Sequence, residues 1–465
     1  MRCERDNDTI WGIIYLIHQL CKGAKLSITH RSPHPTPTGE VQNIGVNDLF
    51  FSTTDWRGVI EDSNSVFIEL SRYSEEQLRG APHNIIRHPM MPGGAFHSMW
   101  KWIQNGKPFG AYVHNLAQDG SRYDVFATII PKRDGGYLSV RIPSVVPELF
   151  EMTDDIYAQA LDLETKLRES GTSRREAAAK GAEKIDELLQ QSGFIDYDDY
   201  MHAVFTSEVI VREAMAADLP TRPDATGPVA NKLQVTGRIH QELSGWMGRL
   251  DELQALSESL SEADKAVRNE ISRAALPGSL SSKLVPEEQN DLQVMIDVWK
   301  YTQQATSDYL TNLHETFTKL YRTISAARFR IALAHIHATM LAIFLIEVID
   351  HDTSAETEIQ LLVEALEDGV TDMEYATHKL MHQTITVGAQ TQAALHMMRL
   401  PAHMAENVSH QIENMPLDSG GVVDVAASTI SQITNAMERM QNLSQRCETL
   451  CDFDPTRLRD LLRML

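Results

Sequence analysis

Cysteine and positive charge are both scarce in this sequence. The four cysteines of the 465 residues lie near the two ends, at Cys3, Cys21, Cys447 and Cys451. Such sparse usage argues against a disulfide framework, and we expect a reducing, cytoplasmic compartment. Lysine and arginine total 42 against 64 aspartates and glutamates, which gives a net charge of −22 and a pI near 5.2. Nucleic acids and anionic membranes both bind cationic surfaces, so neither is expected as a partner.

The sequence also lacks a clear membrane-spanning run. The apolar segment from Ile10 to Leu20 is only about half the length that a bilayer requires. A second apolar segment, residues 331–349, is interrupted by His335 and His337. That interruption favours a fully buried helix of a bundle, and we expect no membrane span.

No enzyme motif is present. The sequence contains no Gly-rich phosphate loop before a helix, no nucleophile elbow and no H-E-x-x-H. Cys447 and Cys451 lie one helical turn apart, but no other ligand cluster is near them in the sequence. We therefore expect a protein that is not an enzyme.

Histidines supply the remaining candidates for metal binding. His378 and His382 share one face of a helix and could hold a metal together, although a polar stripe is the simpler interpretation. His335 and His337 are two residues apart and point to different faces, so they cannot chelate together. His240 is an isolated surface candidate. We expect no metal site.

Strand signals are confined to the first third of the chain. Asn64 or Ser63 can cap a first short helix, and the capping box that starts at Ser74 opens a second. Two strands, short helices and a three-stranded meander, joined by Gly-rich turns, predict an α+β domain with a five-stranded antiparallel sheet and flanking helices. The predicted strands cover residues 47–54, 55–63, 111–117, 123–131 and 136–142.

Helical periodicity replaces the strand signals after Pro143. Apolar residues from Ile239 to Val267 step by three or four and predict a coiled coil or a long bundle helix. Helices this long are stabilised by packing an apolar face, so we expect an elongated helical bundle, in a homodimer. The predicted helices cover residues 148–171, 173–192, 196–215, 235–267, 291–349, 359–388, 390–398 and 426–447, with breaks at 220–228, 277–289, 401 and 419–421.

The most distinctive stretch runs from Pro82 to Trp100, PHNIIRHPMMPGGAFHSMW. Prolines fix the backbone of a loop with polar tips, and Phe96, Met99 and Trp100 then follow at helical spacing. Such a loop is suited to form the wall of a pocket, although a solvated surface turn would have the same composition.

This stretch resembles the signature P-H-N-x-x-R-H-P-D-M-P of the PAS sensor domain of the bacterial aerotaxis receptor. The likeness extends upstream through DSNSVFIELSRYSEEQLRGAP and downstream through GKPFGAYVHNLAQDGSRYDVFATIIP and GGYLSVR, over about residues 45–145. It implies a division into an N-terminal segment and linker (1–44), a PAS domain (45–145), a helical connector (146–219) and a bundle or coiled-coil region (229–465).

The resemblance implies non-covalently bound FAD between the sheet and the central helices. An arginine and a histidine can meet the phosphates, an aromatic ring can stack on the flavin, and an asparagine suits the amide-like ring edge. The positions that match the family's cofactor-binding residues are Asn84, Arg87, His88, Pro89, Trp100, Phe109 and Asn115.

Three departures from the family pattern leave the ligand open. Met90 stands where the family has an aspartate acceptor, Phe109 stands where it has a tryptophan, and Asp124 interrupts an aromatic pair after Tyr123. The pocket would then hold FAD with altered redox tuning, another ligand, or none. Haem is the alternative cofactor. Its candidate axial ligands are His83, His88 and His97.

The sequence therefore predicts a cytoplasmic sensor that responds to redox state or oxygen through a flavin and signals through its helices to a protein partner. The alternative is a non-enzymatic scaffold, in which the PAS domain and helices only dimerise and bind signalling components. A flavin enzyme is a weaker option, because no substrate-binding domain is evident. The characteristic hairpin tip of chemotaxis receptors is absent from the sequence.

Overall fold

Five strands form a single sheet in this computed structural model. They are β1 (Phe50–Thr54), β2 (Ile60–Ser63), β3 (Phe109–Leu116), β4 (Arg122–Pro131) and β5 (Tyr137–Pro143). Their order across the sheet is β2-β1-β5-β4-β3, and every neighbouring pair is antiparallel. The predicted five-stranded antiparallel sheet is confirmed. The structure describes residues 35–216, 219–273, 290–351, 355–413, 435, 437–450 and 453–465.

Short helices connect β2 to β3. Asn64 caps the first of them, because its Oδ1 accepts a hydrogen bond from the Phe67 N–H at 3.2 Å. Ser74 and Gln77 form the predicted capping box of the second. The helices are α1 (Ser65–Ser71), α2 (Glu75–Leu78), a 3-10 turn (His83–Ile86) and α3 (Gly93–Ile103).

Seven further helices with defined bounds follow β5. The helices predicted from residues 173 and 196 begin at these positions, where the side chains of Ser173 and Asp196 accept from backbone N–H groups three residues on. The predicted helical region after the PAS domain is thus confirmed. The helices are α4 (Pro147–Glu169), α5 (Arg174–Gln191), α6 (Tyr197–Met215), α7 (Pro228–Arg273), α8 (Asn290–His351), α9 (Glu356–Glu413) and α10 (Thr456–Leu462), and residues 437–450 are also helical.

The two faces of the sheet pack against different layers. Phe50 faces the short helices and stacks on Tyr123 with ring centroids 5.9 Å apart. Its neighbour Phe51 points the other way and meets Phe344 of α8 edge to face at 5.1 Å. This alternation follows from the two-residue period of a strand. Residues 37–465 pack as one unit, and the domain boundaries within it stay a prediction.

The predicted apolar seam of α7 is confirmed. The apolar residues that step by three or four from Ile239 to Val267 are buried, except for Ala263, which is partly buried. The predicted break at Pro401 is wrong, because α9 continues through it. Proline removes one backbone donor, whereas the other hydrogen bonds of a 58-residue helix continue on either side. The breaks predicted at 277–289 and 419–421 lie outside the described residues.

The apolar part of α8 lies inside the protein. Within the described residues, Gln304–His351 is the one helical segment long and apolar enough to cross a membrane, with a window of mean hydropathy 1.9. However, 83% of that window is buried. This burial is what we expected of a core helix in a bundle.

Candidate ligand site

A cavity of about 250 Å³ lies between the sheet and the segment that holds the central loop and α3. The helix contributes Phe96, Met99 and Trp100, and the loop contributes Asn84 and Arg87. The strands contribute residues that alternate along each chain and therefore share one face of the sheet. These strand residues are Thr54, Val113, Asn115, Ala127, Ile129, Tyr137, Ser139 and Arg141.

Arg141 places a buried positive charge in this cavity. Only 3% of its surface is exposed, and its Nη2 donates to Ser52 Oγ at 3.0 Å and to His83 Nε2 at 2.5 Å. Among the described residues, none accepts a hydrogen bond from Nη1 and none offers a carboxylate to the guanidinium. Burial lowers the pKa of Arg141 to about 10, so it stays charged at neutral pH. A buried charge without a counter-ion is costly, which points to a ligand that supplies an anion or an acceptor.

Asn115 provides a second buried donor without a partner. Its side chain is 2% exposed, and within the described part of the chain no acceptor reaches its Nδ2. The backbone of Asn115 pairs with that of Arg87 in an isolated bridge, which fixes the loop against β3. Asn84 also lines the cavity but is exposed, at its outer side.

Arg87 and Trp100 form parts of the wall. The Arg87 guanidinium lies 4.1 Å from the centroid of the Phe96 ring, and its Nη2 donates to the Met91 carbonyl at 2.8 Å. Burial lowers the pKa of Arg87. Trp100 packs edge to face with Tyr137 at 5.8 Å. Four of the predicted residues, Asn84, Arg87, Trp100 and Asn115, thus lie together around one cavity.

The other predicted residues do not line it. His88 is 6% exposed and packs beside His114, with ring centroids 6.3 Å apart, while Pro89 is exposed. The backbone is extended at Arg87, so successive side chains point to opposite sides. Arg87 and His88 therefore cannot both face the cavity.

Phe109 lies at the first position of β3, away from the cavity. Its ring stacks on Tyr197 of α6 at 5.3 Å, with an interplanar angle of 8°, and also contacts Trp102. The aromatic partner comes from a helix 88 positions later in the chain. Nothing in the local sequence signals that contact.

The geometry disfavours haem. Of the three candidate axial ligands, only His83 lines the cavity, and its Nε2 accepts the hydrogen bond from Arg141. Burial and the charge of Arg141 lower the pKa of His83 to about 3, so the imidazole is neutral. His97 is exposed on α3.

Sequence reasoning did not assign Arg141, the most unusual residue of the cavity. The available signal was its position in β5, where Tyr137, Ser139 and Arg141 alternate with apolar residues. An arginine in a central strand with a nonpolar neighbour on each side has to be buried or at a site.

The comparisons with known proteins find a curated relative and several solved structures. No family model matches the chain. The aerotaxis receptor of Escherichia coli (strain K12) is 34% identical over 148 residues, which cover 31% of this chain and 28% of the receptor. The chain contains a PAS sensor domain of the aerotaxis-receptor type. The match spans less than a third of the receptor's length.

Two solved structures are similar to the PAS domain at lower identity. The PAS domain of a protein from Colwellia psychrerythraea is 22% identical, with coverage of 20% of this chain and 85% of that chain and a TM-score of 0.18. A variant of the fungal photoreceptor VVD is 19% identical, with coverage of 23% and 83% and a TM-score of 0.18. Likenesses at this level carry no information about the ligand.

The PAS domain is connected to α4 on two sides. The backbone N–H groups of Gly93 and Gly94, at the start of α3, donate to the two carboxylate oxygens of Glu164, each at 2.7 Å. His114, next to Asn115, is 1% exposed, and its Nε2 lies 3.0 Å from Asp154 Oδ1. Both acidic residues belong to α4, so the two walls of the cavity are each bonded to the same helix.

A third polar contact joins the sheet to α6. Glu208 is fully buried and accepts hydrogen bonds from the Tyr112 hydroxyl and from the N–H of Val145 at 2.7 Å. Burial raises the pKa of Glu208. The contact lies where the chain leaves β5 and enters α4, so it fixes that junction to α6.

Proposed function

We propose that the PAS domain binds FAD and that the protein senses redox state or oxygen through it. The observation that supports this most is the pair of buried donors without partners, Arg141 Nη1 and Asn115 Nδ2, on two residues that line one cavity. A flavin ring presents carbonyl oxygens and ring nitrogens that accept hydrogen bonds. The 34% identity to an aerotaxis receptor makes a redox ligand of this kind the best candidate.

The residues present suit a planar ring in the cavity. Trp100 and Phe96 offer aromatic faces, and the aliphatic side chains of Ile129 and Val113 cover the sheet side. A volume of about 250 Å³ is below the range of roughly 300–1,000 Å³ of pockets that enclose drug-sized ligands. It would therefore hold the ring and leave the phosphates outside. Arg57 lines the cavity with a side chain that is 62% exposed, so it can meet them there.

The bound flavin would supply reversible uptake of electrons. Arg141 would provide a fixed positive charge and a free N–H group beside the ring edge, which favours added negative charge. No aspartate or glutamate lines the cavity in the described part of the chain. The electrostatic environment would therefore stabilise the reduced form.

The two contacts with α4 would relay the change. A shift of α3 would act on Glu164, and a shift at Asn115 would act on His114 and Asp154. The ligand can shift the helices only by its differential affinity for their two arrangements. We propose that the helical bundle then signals to a protein partner, from a homodimer in the cytoplasm. Light scattering of the purified protein would test the dimer.

The first experiment is a visible spectrum of the purified full chain before and after dithionite. We expect flavin absorption that bleaches on reduction. Arg141→Gln and Asn115→Ala should each lower the flavin content, and Arg87→Ala and Asn84→Ala should lower it less. Arg133→Gln is the matched control, since Arg133 forms an exposed ion pair with Asp368 and does not line the cavity.

A colourless protein that cannot be reconstituted with FAD would overturn the proposal and favour the scaffold alternative. Full retention of flavin by both Arg141→Gln and Asn115→Ala would show that the ligand lies elsewhere. Circular dichroism of each variant separates loss of the ligand from loss of the fold.

A further inference from the structure

Three potential metal ligands converge where α6, α7 and α8 meet, outside the PAS cavity. They are Glu213 near the end of α6, His240 in α7 and His335 in α8. Their ligating atoms all lie within 4.8 Å of one another. Glu213 Oε2 is 3.6 Å from His240 Nε2 and 3.7 Å from His335 Nδ1. The two imidazole rings have centroids 3.8 Å apart.

The tautomer of His335 follows from its hydrogen bonds. The Ser244 hydroxyl donates its proton to the His240 carbonyl at 2.9 Å, so its oxygen accepts the Nε2–H of His335 at 2.8 Å. In a neutral imidazole the other nitrogen, Nδ1, then carries a lone pair. Burial of His335 disfavours the charged form of its ring.

That lone pair faces another acceptor. His335 is 4% exposed, and its Nδ1 makes no hydrogen bond to any described residue. It is directed at the Glu213 carboxylate. Two acceptors at 3.7 Å without a proton between them repel each other, unless a cation lies between them.

A hydrogen bond from Arg212 fixes the orientation of the Glu213 carboxylate. Its Oε1 accepts from Arg212 Nη1 at 2.6 Å, which leaves Oε2 directed at both histidines. The Arg212 guanidinium, 2.6 Å from Glu213 Oε1, favours the charged form of the carboxylate. The carboxylate is therefore ionised.

The spacing suits a small divalent ion. Zinc binds histidine nitrogens and carboxylate oxygens at about 2.0–2.2 Å in tetrahedral sites, which places neighbouring ligand atoms roughly 3.3 Å apart. The observed 3.6 and 3.7 Å from Glu213, with all three ligand atoms within 4.8 Å of one another, require the side chains to move inward around the ion. A cavity of about 260 Å³ adjoins Glu213 and His240, so water can reach a fourth position.

We propose that Glu213, His240 and His335 bind a divalent transition-metal ion of the zinc type. Ser244 and Arg212 act as positioning residues. Ser244 holds His335 through Nε2, and Arg212 holds Glu213 through Oε1, the atoms that do not face the ion. The site does not depend on a flavin in the PAS domain. A bound ion would join the last helix of the connector, α6, to the two long helices α7 and α8.

The test uses the full chain after treatment with EDTA and dialysis. Titration with Zn²⁺ in a calorimeter should show one tight site for each chain, and Co²⁺ should give the visible absorption of a four-coordinate ion. Glu213→Gln, His240→Ala and His335→Gln should each weaken Zn²⁺ binding roughly 100-fold or more, and Ser244→Ala should weaken it about 10-fold.

The matched control is the double variant His378→Ala, His382→Ala, which removes an exposed histidine pair from α9 and should leave the affinity unchanged. No Zn²⁺ binding by the wild type, or equal affinity in His240→Ala, would overturn the proposal and leave only an ion pair between His240 and Glu213. Loss of binding in the control variant would place the ion on α9 instead. His240 is only partly buried, so its variant keeps the test valid if His335→Gln does not fold.

Discussion

The PAS cavity and the junction of α6, α7 and α8 both contain buried polar groups without hydrogen-bond partners. The cavity lacks acceptors, whereas the junction lacks a donor or a cation. In the cavity, Arg141 and Asn115 present donors without acceptors. At the junction, His335 and Glu213 present acceptors without a proton or cation between them. Buried polar groups without partners are costly, so the kind of partner that each site lacks indicates its ligand. The missing acceptors indicate an electron-rich ring in the cavity, and the missing cation indicates a metal ion at the junction.

Replacing Arg141 tests whether the cavity lacks an acceptor. We expect it to have the largest effect, on both FAD binding and the free energy of unfolding. Arg141→Met should weaken FAD binding roughly 100-fold, the equivalent of about 2.7 kcal/mol. The flavin-free variant should nevertheless be more stable than flavin-free wild type by about 1–4 kcal/mol, because a buried charge without a partner is removed. Urea unfolding with and without FAD measures both. A flavin-free variant that is less stable would mean that Ser52 and His83 already compensate the charge.

His337 separates the effect of burial from that of the metal cluster. It lies two residues from His335, is 2% exposed, and burial alone lowers its pKa to about 4. The folded state therefore favours the neutral ring. The contribution of the neutral His337 ring to the free energy of unfolding is fully present above the unfolded pKa of about 6.5. It is lost as the pH falls toward 4.

His337→Leu should accordingly reduce the loss of stability between about pH 7 and pH 5 by about 2 kcal/mol. Urea unfolding of the metal-free protein at the two pH values measures this loss, with the exposed His378→Leu as the control. An unchanged pH dependence would show that the ring is solvated in the folded state.

A pair of glycines compares how rigidly the two sites are held. A Cβ on Gly94 of α3 would lie less than 3.0 Å from backbone atoms of Gly181 and Ala182, whereas a Cβ on Gly248 of α7 would meet nothing within 4 Å. Gly94→Ala should destabilise the protein by about 1–3 kcal/mol. Gly248→Ala should stabilise it by about 0.5–1 kcal/mol through helix propensity. Similar thermal shifts in both variants would mean that α3 is not held against α5.

Local signals predicted the fold well. The caps at Asn64 and Ser74, the Gly-rich turns and the seam of α7 all depend on residues within a few positions of each other. These features are confirmed because short-range hydrogen bonds and periodic burial determine them. The local signal was misleading at Pro401. The preference of this one proline for ending a helix was weaker than the preference of the surrounding residues for continuing it.

The sites were harder to predict, because side-chain direction and long-range packing decide them. The motif placed Asn84, Arg87, Trp100 and Asn115 correctly around one cavity. It could not show that an extended backbone turns His88 away. His240 and His335 were considered separately as metal ligands, since 94 positions divide them and their third partner, Glu213, lies on yet another helix.

One helix, α8, contacts both the PAS sheet, on the face opposite the cavity, and the cluster of metal ligands. Phe344 of α8 lies under the sheet of the PAS domain, and His335 lies nine residues earlier, roughly 14 Å along the same axis. An α-helix bends little over two or three turns, so a displacement at one point is felt at the other. If an occupied PAS domain alters how tightly the ion is held, thermodynamics requires the ion to alter ligand affinity by the same factor. Zinc would then set the threshold at which the sensor responds.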